Sequence, residues 1–252
     1  MDINLKGKRI LVTGAGRGIG QAIAKGMLES GAVVALHYHR SLTGIEELQQ
    51  RFKEKAIPVS GDLNQPNDSQ AIYESAIASM GGLDVLVNNA GIAIHSSLTK
   101  VDQDWLSDWQ ATLQVNLISA ALLCKRAIQT FSNQEGGKII NITSRAAFRG
   151  DTSDYWAYAA SKGGMVSLTR TIARNFGKQN IMSFNLAPGF DKTDMAKDFS
   201  DEYGEEILLN DIALSQLTAP ADLVPMIILL ASGLADHATG TTIDFNAGSY
   251  VH

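Results

Sequence analysis

Arg9-Ile10-Leu11-Val12-Thr13-Gly14-Ala15-Gly16-Arg17-Gly18-Ile19-Gly20 passes from an apolar run straight into alternating glycines. The apolar half suits a strand buried on both faces. A helical pattern follows, with Ile19, Ala22, Ile23, Gly26 and Met27 on one face. Gly31-Ala32 ends it, and Val33 to Leu36 begin a second strand. Strand, glycine turn, helix and strand in that order is the context a dinucleotide site requires. The common G-x-G-x-x-G spacing fails, because Ile19 or Gln21 stands where its third glycine belongs. Thr13-Gly14-x-x-x-Gly18-x-Gly20 fits instead. Its physics is the same: glycines admit a pyrophosphate to the backbone, and the helix start offers unpaired N–H groups and a positive dipole end.

Outward from this stretch, strand and helix keep alternating. Residues 57–61, 83–87, 138–142, 181–186 and 242–245 read as further strands. Residues 67–80, capped by Asn67 or Asp68, read as helix, as do 104–132, 157–177 and 220–232. Continuous apolar strands in such alternation predict an α/β fold, a single doubly wound parallel sheet with helices on both faces. One domain over residues 1–252 is expected. Gly14, Asn88, Ser144 and Pro188 each follow a strand, at the edge where ligands bind in such sheets.

Composition narrows the functional classes. The net charge of -5 gives no basic footprint for nucleic acid. Cys124 is the only cysteine, so no intrachain disulfide forms, which fits a reducing compartment. The N-terminal stretch lacks the apolar run of a signal peptide. The most apolar run, residues 223–235, contains Pro225 and is too short to span a bilayer. A soluble cytoplasmic protein with no membrane or nucleic-acid partner is expected.

Tyr158-Ala159-Ala160-Ser161-Lys162 puts a tyrosine and a lysine on one helix face, a turn apart. A free tyrosine, with a pKa of about 10, is a poor proton donor or acceptor at neutral pH. A nearby ammonium favours the phenolate and tunes the pair toward working pH. Alone, the pattern reads more readily as an exposed pair on an amphipathic helix, because short patterns recur by chance. Other residues admit two readings as well. Ser144 is either a strand-end hydroxyl bonded to its own backbone or a partner of Tyr158. Asn116, among Leu113, Val115, Leu117 and Ile118, is either a structural amide or a site residue. Asp62 is a helix cap or a site residue. Tyr155 has Ala159, not lysine, four residues on, and with Trp156 suits the wall of a substrate pocket. His37 and His39 read as cofactor-rim residues, and His95 as a solvated loop histidine. No metal-ligand set is present in the sequence.

Taken together, the glycine pattern, Asp62, Asn88-Asn89-Ala90-Gly91, Asn116, Ser144, Tyr158-x-x-x-Lys162 and Pro188-Gly189 with Thr193 resemble the short-chain dehydrogenase/reductase family in order and spacing. The likeness covers nearly the whole chain. It implies a catalytic set of Asn116, Ser144, Tyr158 and Lys162. Tyr158 would protonate a carbonyl oxygen that Ser144 orients, and Lys162 would lower the tyrosine pKa and bind the nicotinamide ribose. Asn116 would support a water chain to Lys162. It also implies that Thr13, Gly14, Arg17, Gly18, Ile19 and Gly20 cradle the pyrophosphate. Asp62 and Leu63 would flank the adenine, and Asn88, Ala90 and Gly91 would line the adenosine side. Pro188, Gly189 and Thr193 would hold the carboxamide and start a lid over about residues 194–212.

Cofactor choice is read at Leu36-His37-Tyr38-His39-Arg40-Ser41. NAD-binding members of the family carry an acid near Tyr38 for the ribose 2′-hydroxyl, but no Asp or Glu lies between Glu29 and Glu46. Arg17, Arg40 and Ser41 suit a 2′-phosphate. NADP(H) is expected over NAD(H). Residues 188–195 and 239–248 are similar to those of bacterial 3-oxoacyl-[acyl-carrier-protein] reductases. The leading expectation is an NADPH-dependent carbonyl reductase of a small-molecule substrate, 3-oxoacyl thioesters among the candidates. The alternatives are an NAD(P)-dependent dehydrogenase of a secondary alcohol, sugar or polyol, and a non-catalytic nucleotide-binding regulator. Arg145 and Arg149 depart from the family pattern and suit an anionic substrate or, preferentially, an intersubunit salt bridge. Helices 104–132 and 157–177 resemble those that assemble family tetramers, so a homotetramer is expected. Leu122, Leu123, Ile128, Phe131, Met165, Leu168 and Ile172 would serve that interface or the core.

Overall fold

A computed structural model describes residues 3–189 and 209–251. The seven predicted strands form: β1 (Arg9–Val12), β2 (Val33–Tyr38), β3 (Ala56–Ser60), β4 (Val85–Asn88), β5 (Gly137–Ile142), β6 (Ile181–Pro188) and β7 (Thr242–Phe245). They make one parallel sheet in the order β3-β2-β1-β4-β5-β6-β7. The order reverses between β1 and β4. Crossovers that leave to opposite sides at this point open a crevice above the carboxyl ends of the strands.

Helices cover both faces. On one lie α1 (Gly18–Glu29), α2 (Thr43–Phe52) and, late in the chain, α8 (Val224–Ser232). Ile23 and Met27 of α1, Ile45 and Leu48 of α2, and Ile227 and Leu230 of α8 pack there with Ile10, Val34 and Phe184 of the sheet. The other face carries α3 (Asp68–Met80), α5 (Ser119–Ser132) and α7 (Trp156–Phe176), with α4 (Asp102–Leu113) before α5 and the short α6 (Ala146–Arg149) before α7. Ile72, Leu123, Phe131 and Ile172 pack there with Leu11, Leu86 and Ile139. Strands β1, β2, β4, β5 and β6 are buried on both sides, which is why they read as continuous apolar runs rather than alternating ones.

The structure corrects several expectations. Helix α2 is an addition: its sequence, Thr-Gly-Ile-Glu-Glu-Leu, buries only Gly44, Ile45 and Leu48, too narrow a stripe to stand out. The long helix expected over 104–132 is broken by a π-helical turn, Gln114–Ile118, at Asn116. Neither Asn67 nor Asp68 caps α3 through its side chain. The Asp68 carboxylate instead accepts the Asp62 N–H at 2.8 Å, tying the helix start to the end of β3. Leu123, Phe131, Met165 and Ile172 are core residues, all less than 4% exposed. Ile128 and Leu168 pack against that core.

Candidate active site

The glycine turn is held by the next strand end. Thr13 Oγ1 accepts the N–H groups of Asn89 (2.9 Å) and Ala90 (3.0 Å). The Asn89 amide donates back to the Thr13 carbonyl at 2.8 Å. Thr13 is thus a clamp between two turns, with its hydroxyl already engaged. Gly14 has φ +68°, and a Cβ at Gly20 would stand 2.1 Å from the Gly14 carbonyl oxygen. Helix α1 can therefore start this close to β1 only with glycine there. Its first residues have no side-chain cap and no acid in the first turn. Uncapped N–H groups and the positive dipole end face the crevice, so the turn fits an anionic pyrophosphate. The Ser41 hydroxyl donates to the Gly16 carbonyl at 3.3 Å, bringing the 40–41 loop against the turn. Arg17 and Arg40 are exposed on this side.

At the other end of the crevice three elements converge. The π-helical turn widens the helix at Asn116, a distortion often found at functional sites. Asn116 Oδ1 accepts the Ile92 N–H at 2.8 Å, and its amide donates to the Ile92 carbonyl (2.8 Å) and to Ser161 Oγ (3.0 Å). A Cβ on Gly91 would lie 3.4 Å from both Asn116 Oδ1 and Lys162 Nζ. The β4 loop, the π-turn and α7 therefore meet at one point. Lys162 is 3% exposed. Its ammonium donates to the Ile142 carbonyl at 2.9 Å and lies 3.9 Å from Met165 Sδ. It stands 5.6 Å from the centre of the Tyr158 ring. Burial among neutral groups pushes the Lys162 pKa down to about 8. Ser144 Oγ accepts the Ala146 N–H at 3.1 Å, so the hydroxyl bonds its own backbone, and its proton is left to donate.

Not every expected residue presents its side chain to this crevice. Asn88 turns into the sheet, where its amide donates to Asn141 Oδ1 (2.8 Å) and lies 3.3 Å from Cys124 Sγ. Leu63 is a core residue, 5% exposed. Ile19 is half-buried against the core beneath the turn. These three offer only backbone to a cofactor, because apolar packing or sheet hydrogen bonding has claimed the side chain. Asp62 makes a local turn, accepting the Asn64 N–H at 3.0 Å, and is not a helix cap. Ala90 and Gly91 lie along the crevice beyond it. Pro188 accepts the Arg145 N–H, and the Gly189 N–H donates to Phe245, fixing both between α6 and β7. Thr193 and most of the expected lid lie outside the described residues.

His37 is no rim residue: it is 2% exposed, whereas His39 is exposed. His95 has company, with Asp154 Oδ2 3.6 Å away and the Tyr155 ring edge-on at 5.9 Å. Trp156 packs edge-on against Trp105 of α4. Within the chain Arg145 and Arg149 both reach Asp211, at 2.6 and 2.9 Å. A helical spacing of four places both guanidiniums on one side of α6, and the carboxylate answers both. No group of His, Cys, Asp and Glu among the described residues could hold a metal, and no helix among them is long and apolar enough to cross a membrane.

Residues 8–204 match the family model described as short chain dehydrogenase. The chain belongs to the short-chain dehydrogenase family. As such it is an NAD(P)-dependent oxidoreductase acting on CH–OH and C=O groups, and the regulator alternative falls away. This short-chain dehydrogenase is 31% identical to the 3-oxoacyl-[acyl-carrier-protein] reductase FabG of Aquifex aeolicus, over 99% of this chain and 100% of that protein. A short chain dehydrogenase of Burkholderia cenocepacia, solved in complex with NADP, is 30% identical and superposes with a TM-score of 0.90 over 98% of this chain and 99% of that one. A 3-oxoacyl (acyl-carrier-protein) reductase of Agrobacterium tumefaciens, solved with NADP bound, gives 30% identity and a TM-score of 0.88 over 98% and 95%. Sequence reasoning missed how this dehydrogenase holds its site: the Asn89 clamp, the Ile142 carbonyl under Lys162, and the seat of His37. Each depends on contacts between residues far apart in the chain, and no local spacing signals them.

Proposed function

We propose that this dehydrogenase is an NADPH-dependent carbonyl reductase in which Tyr158 is the general acid, and that 3-oxoacyl thioesters are within its substrate class. The observation that carries the reading is the convergence of Lys162, Asn116 and Gly91 beside the Tyr158 ring. When bound, the cofactor supplies hydride to the carbonyl carbon. Ser144 donates its free hydroxyl proton to the carbonyl oxygen and orients it. Tyr158 gives that oxygen a proton, and the adjacent Lys162 ammonium stabilises the tyrosinate left behind. Lys162 would also hold the nicotinamide ribose, and Asn116 would support a water chain to Lys162. The uncapped start of α1 and the glycine turn take the pyrophosphate.

Preference for NADPH follows from charge. No acid stands between Glu29 and Glu46 to hydrogen-bond a ribose 2′-hydroxyl, while Arg17, Arg40 and Ser41 lie beside the turn to take a 2′-phosphate. The relatives solved with NADP agree with this choice. The test is cofactor oxidation with an acetoacetyl thioester, with NADPH and NADH in parallel and Tyr158→Phe as control. Turnover favouring NADPH and lost in Tyr158→Phe is expected. Equal use of the two cofactors would overturn the preference, and an active Tyr158→Phe would overturn the acid assignment.

A further inference from the structure

His37 lies at the carboxyl end of β2, on the sheet face away from Leu36, with both ring nitrogens occupied. Nδ1 stands 3.1 Å from the Gly14 N–H, and Nε2 stands 3.2 Å from the Gly61 carbonyl oxygen. A backbone N–H only donates and a carbonyl only accepts. The ring must therefore be neutral, with its proton on Nε2. Its own carbonyl accepts the Ala15 N–H at 2.8 Å. One residue thus engages two successive N–H groups of the glycine turn from below and fastens them to the end of β3. We propose that neutral His37 is a positioning residue for cofactor binding. It holds the turn after β1 in register with the β3 end, so that the first-turn N–H groups of α1 point into the crevice.

The consequence is a proton-sensitive cradle. An imidazolium has no acceptor, so protonation removes the Gly14 bond and sets a donor against a donor. The charged and titratable groups facing the ring are His39 on its own strand end, Asp62 on the loop after β3 and Asp68 at the start of α3. Burial first, and then His39, disfavour the cation. The Gly61 carbonyl and the two carboxylates oppose them, and the ring settles at about 4.

The test uses the full-length protein and NADPH. His37→Leu removes both ring bonds and leaves two backbone groups unsatisfied. About a tenfold rise in the dissociation constant and KM for NADPH is expected. Turnover at saturating NADPH should stay within about twofold, because nothing at Tyr158 has moved. His37→Gln, whose amide offers one acceptor and one donor, should recover most of the affinity. A merely structural residue would change thermal stability without this split between KM and kcat. The ring itself gives a second readout if His37→Leu does not fold. Imidazole nitrogen spectra of the unmodified protein, with His37 assigned by its absence in His37→Gln, should show an Nε2–H tautomer that does not titrate down to about pH 5. Unchanged NADPH affinity in His37→Leu, a proton on Nδ1, or titration near pH 6.5 would each overturn the assignment. Failure of the unmodified protein to bind NADPH would remove the role as well. The tautomer would then still be read from the spectrum, keeping that failure distinct from a wrong seat for His37.

Discussion

At the residue scale the site runs against the stability of the fold. Lys162 carries its charge almost wholly buried, and its folded pKa of about 8 lies below the ordinary 10.5. Below pH 8 both folded and unfolded chains hold the proton, so the penalty for burying the cation is fully present. Between pH 8 and 10.5 the unfolded chain holds more proton than the folded one, and stability rises with pH across that window. The shift corresponds to about 3 kcal/mol, less whatever the Ile142 carbonyl bond returns. Lys162→Met is therefore expected to be inactive yet more stable at pH 7, by on the order of 1–3 kcal/mol. The gain should shrink toward pH 10. Urea unfolding at the two pH values checks this, and a less stable Lys162→Met at pH 7 would refute it. Ser144 differs, since its hydroxyl accepts the Ala146 N–H and keeps a proton to donate.

At the element scale, what places Tyr158 and Lys162 is the docking of α7 on the sheet. Asn88, Asn141, Asn185 and Thr242 stand side by side across four strands. Asn88 donates to Asn141 (2.8 Å), and Asn185 donates to Thr242 (3.2 Å). Thr169 of α7 closes the gap between the two pairs. Its hydroxyl accepts from Asn141 (2.7 Å) and donates to Asn185 (2.6 Å). Thr169 lies two helical turns beyond Lys162, which itself reaches Ile142, so two polar pins on one stripe fix the height of α7. Thr169→Val keeps the shape and leaves one buried donor, Asn141 Nδ2, and one buried acceptor, Asn185 Oδ1, without the hydroxyl. A loss of about 2–4 kcal/mol is expected in urea unfolding. A loss below about 0.5 kcal/mol, as at an ordinary surface site, would show that the row tolerates the gap. The π-turn works at the same scale, since widening the helix at Asn116 lets its amide reach the Ile92 backbone.

At the scale of the whole molecule, the two ends of the crevice come from segments far apart in the chain. The glycine turn is built by residues 13–20, and the end that holds Asn116, Tyr158 and Lys162 by residues 116–162. A sheet with its switch point between β1 and β4 brings them to one edge. Arg145 and Arg149 pair with Asp211 within the chain. Assembly would rest on exposed apolar positions. Leu106 on α4, Ile118 on the π-turn and Trp156 on α7 are 51, 46 and 41% exposed. We expect four 27.0 kDa chains to associate. Light scattering should give a mass of about four chains, and a stable monomer at micromolar concentration would rule this out.

The sequence by itself determined the seven strands, the parallel sheet and the tyrosine and lysine that share one helix face. Those depend on local signals: apolar runs, glycines after a strand, and a tyrosine four residues before a lysine. It also showed the missing acid after β2, because an absence can be read without coordinates. Only the tertiary structure decided what each polar side chain touches. Asn88 reads like a cofactor ligand but serves the sheet, and His37 reads like a rim residue but lies beneath the glycine turn. Arg145 and Arg149 read like interface charges, and within the chain they share Asp211. The physical reason is common to all three. A buried polar group must find a partner, and its partner is set by register and packing between segments distant in the chain. No periodicity within one segment encodes that choice.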